Sequence, residues 1–274
     1  MKRILISLFA CVAFVMHAAP AKPNIVLIMA DDVGCEPIGA YGGERWKTPH
    51  IDALAKGGMR FDYCFSMPVC HPSRICLMTG KYPFRLKSGW GTFPKAAEKN
   101  SIAQVLKRAG YATAIAGKWQ LHGGERGTLA PACGFDTYCL WNYPGTERPR
   151  YWNPSLMRDG KLLKTTEEDY GPDILTDYLI EFIGKNKSKP FFAYYPMLLV
   201  HSPFPKTPDS KPGLVQGAKA KNLANFRDMT HYADKCVGRI IDALEKNGLR
   251  EKTVIIYTTD NGTHRALTYP YGSE

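Results

Sequence analysis

Asn24-Ile25-Val26-Leu27-Ile28-Met29, continuing into Ala30-Asp31-Asp32, is the stretch on which the fold turns. A continuous apolar run of this length, without alternation, is what a strand buried on both faces requires. The acidic pair marks where that strand leaves the core. Outward from it, Thr48-Pro49 opens a helix, Thr as N-cap and Pro at the first position, with Ile51, Leu54 and Ala55 inward and Gly57-Gly58 at its end. Ser101 caps a second helix that carries Ile102, Val105, Leu106 and Ala109 and closes at Gly110; Tyr111–Ala116 then reads as a strand. Helices over Asp173–Lys185 and Phe226–Asn247 alternate with strands over Phe191–Tyr195 and Thr253–Thr259. Residues 120–172, rich in Gly, Pro and aromatics, read as an excursion of loops, and 202–222 as a basic loop.

Strands alternating with helices predict an α/β fold, a largely parallel central sheet flanked by helices. Ligands of such sheets gather beyond the carboxyl ends of the strands. Four predicted strand ends carry polar groups there: Asp31-Asp32, Gly117-Lys118, His201 a few residues on, and Asp260-Asn261. Each has a plain reading as a turn or a structural residue. Their recurrence on one edge points to an active site.

Composition bounds the rest. The 274 residues are 45% apolar and 22% charged with 12% aromatics, which excludes disorder, collagen and coiled coil. No apolar run after residue 20 is long enough to span a bilayer. At the N-terminus, Lys2 and Arg3 precede an apolar stretch from Ile4 to Val15, and Ala19-Pro20-Ala21 offers a small-x-small cleavage site. Residues 1–21 are therefore expected to be a secretory signal peptide rather than a stable membrane anchor, and the protein to be exported, periplasmic or secreted. Removing Lys2 and Arg3 takes the formal charge from +11 to +9. That charge favours a polyanionic partner, but the basic residues are dispersed and no nucleic-acid motif accompanies them. Eight cysteines become seven without Cys11, leaving an odd thiol in an oxidising compartment, and no C-x-x-C pair suggests zinc.

Two acidic strand ends brought together would place three carboxylates and an amide oxygen in one spot. All-oxygen ligation of that kind selects a hard cation, calcium or magnesium. The segment Cys70-His71-Pro72-Ser73-Arg74-Ile75-Cys76-Leu77-Met78-Thr79-Gly80 puts a cysteine before Pro at a helix start, where backbone N–H groups and the helix dipole stabilise negative charge, with Arg74 one turn along.

This segment resembles the C-x-P-S-R…T-G signature of the formylglycine-dependent sulfatases, an arylsulfatase-like family of the alkaline phosphatase superfamily. The opening N-I-V-L-I-M-A-D-D, T-P-H-I-D-A-L-A-K-G-G, G-K-W, H-S-P at His201–Pro203 and D-N-G at Asp260–Gly262 are similar to the family's, so the resemblance runs from about Asn24 to Gly262. It implies an alkaline-phosphatase-like catalytic domain over 22–274. It further implies that Cys70 is oxidised to formylglycine by a formylglycine-generating enzyme, and that Asp31, Asp32, Asp260 and Asn261 bind one Ca2+ together with that residue. Arg74 would hold the hydrated aldehyde, Lys118 a sulfate oxygen, and His201 would lie near the leaving-group oxygen as general acid. The implied reaction is hydrolysis of a sulfate ester, of a small molecule or a polysaccharide, by attack of the hydrated aldehyde on sulfur.

The chain departs from the pattern twice. The usual G-K-W-H-L-G reads Gly117-Lys118-Trp119-Gln120-Leu121-His122, so Gln120 stands where a histidine meets the formylglycine, with His122 as a possible substitute. It also stops at Glu274, thirteen residues past Asn261, whereas family members continue with another sulfate-binding lysine and a C-terminal subdomain. The expectation is a partial gene product; were residues 22–274 nonetheless to turn over an aryl sulfate, His264 or Arg265 would be the first candidates for the missing cation. Two alternatives stay open at this stage: a phosphonate or phosphate ester hydrolase of the same superfamily, and an inactive anion-binding sulfatase-like protein.

Overall fold

The computed structural model describes residues 22–44, 46–87, 89–122, 129–212, 222–263 and 267. The stretch expected to be a signal peptide, and His264 and Arg265, lie outside the described residues. The elements run β1 (Asn24–Ala30), α1 (Pro49–Lys56), α2 (Cys70–Thr79), α3 (Pro83–Leu86), α4 (Ile102–Arg108), β2 (Ala112–Lys118), β3 (Thr137–Trp141), β4 (Met157–Arg158), β5 (Lys161–Leu162), α5 (Gly171–Lys185), β6 (Phe191–Pro196), α6 (Leu223–Lys246) and β7 (Thr253–Thr259). Short 3-10 turns fill several of the connections.

One seven-stranded sheet, in the order β5-β4-β3-β2-β6-β1-β7, organises the chain. The strands from β3 to β7 along that order are parallel, and β4 and β5 add an antiparallel ribbon at one margin. Alternate residues of each strand serve two cores. Val26, Ile28, Ala114, Ala193 and Tyr195 face α1, α5 and α6, whereas Leu27, Met29, Ile115, Phe192 and Tyr194 face Ile75 and Met78 of α2 and Ala103 of α4. Burial on both faces is why the opening strand is apolar without alternation. Each fully buried Ile or Phe contributes about 1.5–3 kcal/mol.

The expected α/β architecture is therefore present, with four local corrections. Residues 120–172 are not only loops: β3 extends the parallel sheet through Tyr138-Cys139-Leu140-Trp141, and β4–β5 form a hairpin. Its turn is Asp159-Gly160, with φ of 46° and 83°, the left-handed pair that matches the twist of a two-residue hairpin. Second, β2 runs to Lys118, so Gly117 and Lys118 lie inside the strand rather than after it. Third, Thr48 does not cap α1 with its side chain; its hydroxyl donates to Asp52 Oδ1 at 3.0 Å. The free N–H groups of His50 and Ile51 donate instead to the Asp234 carboxylate of α6, at 3.2 and 2.9 Å. Fourth, α5 and α6 begin a little earlier than their apolar periodicity suggests. Pro172 sits in the first turn of α5, and Asn222 caps α6 by accepting from Asn225 N at 3.0 Å. Ser101 caps α4 as its sequence implies, accepting from Gln104 N at 3.2 Å.

Candidate active site

The polar strand ends meet at one edge of the sheet. Past β1, the Asp31 N–H donates to Leu199 O at 2.8 Å and Val200 N–H donates back to Asp31 O at 2.7 Å, so the segment after β6 runs alongside. Asp260 N–H donates to Ala30 O at 3.0 Å and brings the end of β7 to the same point. Asp32 then takes a left-handed φ of 56°, which Asp tolerates better than most residues. Its N–H donates to Asp260 Oδ1 at 3.2 Å, and its carboxylate accepts from Asn261 Nδ2 at 2.7 Å.

From the opposite face, α2 begins at Cys70 and aims its first turn at these carboxylates. Ser73 anchors that start through its hydroxyl, which accepts from Met67 N at 3.1 Å and lies 3.2 Å from Val69 O. Arg74 is 1% exposed. Its Nη2 lies 2.7 Å from Asp260 Oδ2 and 3.7 Å from Asp31 Oδ2, and its Nη1 donates to Lys118 O at 3.1 Å. Lys118, the last residue of β2, places Nζ 2.7 Å from Asp31 Oδ2. Gly117 makes this approach possible: a Cβ built there would stand 1.8 Å from Pro196 O, at a φ of 138°.

One ligand atom from each of Asp31, Cys70 and Asp260 lies within 4.8 Å of the others, all three residues buried; Asp31, Asp32 and His201 form a second such group. His201 Nε2 is 3.4 Å from Asp32 Oδ2, and Nδ1 lies 2.6 Å from Ser202 O. A proton on Nδ1 is held by that carbonyl, which turns Nε2 toward the carboxylates. The Tyr151 hydroxyl braces this loop, its one proton shared between Leu198 O, 2.8 Å away, and His201 O.

The charges are tightly coupled. Burial alone would raise the Asp31 carboxyl, but Lys118 and Arg74 outweigh it and hold Asp31 well below the usual carboxylate range. Asp260 goes the other way, to about 7, because burial and then the Asp31 charge both disfavour its ionisation. Asp31 is the firmly ionised member because it faces both cations. The Arg74 guanidinium stays charged: burial opposes it, and Asp260 and Asp31 more than compensate. Burial lowers the His201 imidazole, followed by opposing effects of Asp31 and Lys118.

The cluster suits a hard cation. Asp31 Oδ1 and Asn261 Oδ1 are buried acceptors without a hydrogen-bond partner, an arrangement that is costly unless something positive fills it. The remaining donors are carboxylate oxygens, with one exception: the Cys70 sulfur is soft, and only its replacement by oxygen would complete an oxygen set.

Gln120 has a left-handed φ of 56°, donates its N–H to Asn142 O at 3.1 Å, and keeps a buried Oε1 without a partner. His122 pairs with Thr92 in an isolated antiparallel bridge, and its Nδ1 is likewise unpartnered. Among the described residues no hydrogen bond joins either side chain to Cys70, Arg74 or Lys118. The other anticipated residues, Asp31, Asp32, Cys70, Arg74, Lys118, His201, Asp260 and Asn261, come together. Sequence reasoning missed Tyr151 and its neighbour Arg150, which sit in a stretch read as loops and carry no motif.

A parallel α/β sheet with such a cluster at its carboxyl edge is the arrangement of the alkaline-phosphatase-like class. The family model described as Sulfatase matches residues 23–273. Human arylsulfatase A is 31% identical over 275 residues, which cover 89% of this chain and 53% of that protein. The N-acetylgalactosamine-6-sulfatase of Canis lupus familiaris is 29% identical over 282 residues, covering 89% of this chain and 51% of its own. The crystal structure of Ps i-CgsB in complex with k-i-k-neocarrahexaose superposes with a TM-score of 0.74 at 29% identity, covering 88% of this chain and 59% of that one. The chain belongs to the sulfatase family. It spans about half the length of the curated relatives it matches. No helix among the described residues is long and apolar enough to cross a membrane.

Proposed function

We propose that this chain forms the catalytic unit of an exported sulfatase that hydrolyses sulfate esters of carbohydrates, using formylglycine made from Cys70 and one bound Ca2+. The observation that carries the reading is the meeting of Asp31, Cys70 and Asp260 within 4.8 Å at the sheet edge, flanked by two buried cations. Asp31, Asp32, Asp260 and Asn261 would hold the ion beside residue 70. Once in place, the ion and the hydrated formylglycine supply Lewis acidity and an oxygen nucleophile next to the sulfuryl group.

The chain's own residues do the rest. Lys118 and Arg74 are preorganised, buried donors that stabilise the charge spreading over the sulfuryl oxygens and need no reorganisation during reaction. Arg74, anchored on Asp260 and on Lys118 O, fixes the start of α2 against the carboxylates. His201, with Nδ1 tied to Ser202 O and its backbone braced by Tyr151, would deliver a proton from Nε2 to the departing alcohol oxygen. Gln120 can donate one hydrogen bond toward substrate but cannot change its charge near neutral pH.

Carbohydrate is favoured as the alcohol by the names of two relatives, an N-acetylgalactosamine-6-sulfatase and a protein solved with a neocarrahexaose, and the positive formal charge, +9 without Lys2 and Arg3, suits a polyanionic one. The lead at residues 1–21 supports export, with 22–274 as the catalytic unit. The test is co-expression with a formylglycine-generating enzyme, followed by peptide mass spectrometry at residue 70 and parallel assays on an aryl sulfate and an aryl phosphate. Aldehyde at residue 70 with preferential sulfate release is the expected result. Activity with an unmodified thiol at residue 70 would overturn the mechanism. A preference for phosphate would favour the esterase alternative, and conversion without turnover the anion-binding one.

A further inference from the structure

Arg150 is the cation near the site to which the mechanism gives no task. Its guanidinium carbon lies 4.1 Å from the centre of the Trp141 ring and 5.9 Å from that of Tyr151. Both aromatics belong to the site's edge. Trp141 is paired with Lys118 in the β2–β3 register, and its carbonyl accepts from Trp119 N at 2.9 Å. Tyr151 carries the hydroxyl that braces Leu198 and His201. Arg150 is thus placed over the strand ends between Lys118 and His201, on the side where the alcohol leaves.

Its donors are unspent. No carboxylate pairs with Arg150 among the described residues, and its Nη1 is buried without a hydrogen-bond partner. A half-buried arginine in that state needs an explanation, because a desolvated charged donor left unpaired is unfavourable by about 1–3 kcal/mol or more. Trp141 covers one face of the guanidinium, and the N–H groups around its rim suit a bidentate oxyanion. The three carboxylates of the cluster are already matched to Arg74, Lys118, Asn261 and His201, so none of them is left over for Arg150 among the described residues.

We propose that Arg150 recognises a second oxyanion on the substrate, a sulfate or carboxylate carried by the alcohol, so that the site prefers esters with such a group beside the scissile sulfate. This rests on the sulfatase reading for its orientation, since His201 marks the leaving-group side. The test is therefore made both with and without turnover.

Calorimetry on the full chain carrying Cys70→Ala would measure binding of three probes: 4-nitrophenyl sulfate, a disulfated N-acetylgalactosamine, and a monosulfated disaccharide bearing a uronate. Arg150→Met should weaken the second or third probe, whichever anion fits, by roughly 10- to 100-fold, the value of a charge-assisted hydrogen bond, and leave 4-nitrophenyl sulfate unchanged. Arg150→Lys should recover part of the loss. In the converted enzyme the same selectivity should appear in KM for the doubly anionic ester, with kcat on 4-nitrophenyl sulfate unaltered. Equal losses on all three probes would mean that Arg150 only supports the fold, and no loss, or no binding of the doubly anionic probes by the parent, would equally overturn the proposal. If the converted protein turned over no ester while the binding selectivity held, the sulfatase reading would fail and the anion site would stand.

Discussion

Replacing Lys118 by methionine asks whether a bound cation completes the charge balance of the cluster. With a cation bound, Asp31, Asp32 and Asp260 would present three negative charges, Asp31 and Asp260 against Arg74 and Lys118 and Asp32 against the Asn261 amide. Lys118 and Asp31 are separated by 2.7 Å, and their side chains are 2% and 0% exposed. Breaking one side of a buried pair costs about 3–5 kcal/mol, because the remaining charge stays desolvated. Arg74, 3.7 Å from the same Asp31 oxygen, retains part of the compensation, so the expected loss in EDTA is about 3 kcal/mol. A divalent ion among the carboxylates changes the sign of the problem. It supplies the missing charge, and the variant no longer repels it with an ammonium group, so Ca2+ should bind Lys118→Met more tightly than the parent. At a hundredfold excess over Kd, ligand binding adds about 2.7 kcal/mol, and at the same free Ca2+ the variant should gain more than the parent does. Urea denaturation of both proteins, in EDTA and in Ca2+, reads all four values. Catalysis should not recover: loss of one preorganised donor typically lowers kcat by about 10²–10³. A variant less than about 1 kcal/mol below the parent in EDTA, or equal stabilisation of both by Ca2+, would refute this account of the cluster.

Asp31→Asn should weaken Ca2+ binding measured by calorimetry, because it removes a charge from an oxygen cage that relies on charge to offset dehydration; unchanged affinity would make the carboxylates mere turn residues. Gly117→Ala should destabilise the fold by about 3 kcal/mol in urea titration, since its Cβ would stand 1.8 Å from Pro196 O, and should displace Lys118 with it. Asp234→Ala should cost about 1–2 kcal/mol by leaving the N–H groups of His50 and Ile51 without an acceptor, while Ca2+ affinity stays unchanged. Burial would raise the Asp136 carboxyl, but Lys107 and the Thr113 N–H and hydroxyl outweigh it and hold it below its ordinary 3.8. Its stabilising contribution is thus present above that value and lost as pH falls through the folded-state value, so the stabilities of the parent and Asp136→Asn should converge in acid.

What the sequence disclosed, and what it withheld, divides along physical lines. β1 was legible because burial on both faces leaves a composition that nothing but a core strand needs. Ser101 and Asn222 show the limit of local rules: both cap a helix, but only the first stands directly before an unmistakable apolar period. The Asp159-Gly160 hairpin carried a usable turn signal, yet its strands are two residues long and too short to show alternation. β3 was hidden for a related reason, five residues set between glycines and prolines, too few to declare a strand before its pairing with β2 is seen.

The same distinction separates the parts of the site. The acidic strand ends and Lys118 were legible as polar groups at strand ends, whereas the roles of Cys70, Arg74 and Lys118 came from the resemblance of their short motifs to the sulfatase family's. Tyr151, Asp234 and Arg150 were not, since each acts on a partner brought near only by folding: a carbonyl of the loop after β6, the amides of α1, the ring of Trp141. Any donor or acceptor of suitable reach could brace a loop or cap a helix from across the core, so no pattern marks the one that does. Arg150 differs from the other two in that its buried Nη1 finds no partner among the described residues. An unspent guanidinium beside a cluster of this kind is therefore informative in a way that a spent one is not, and it is why the proposed second anion is assigned to Arg150.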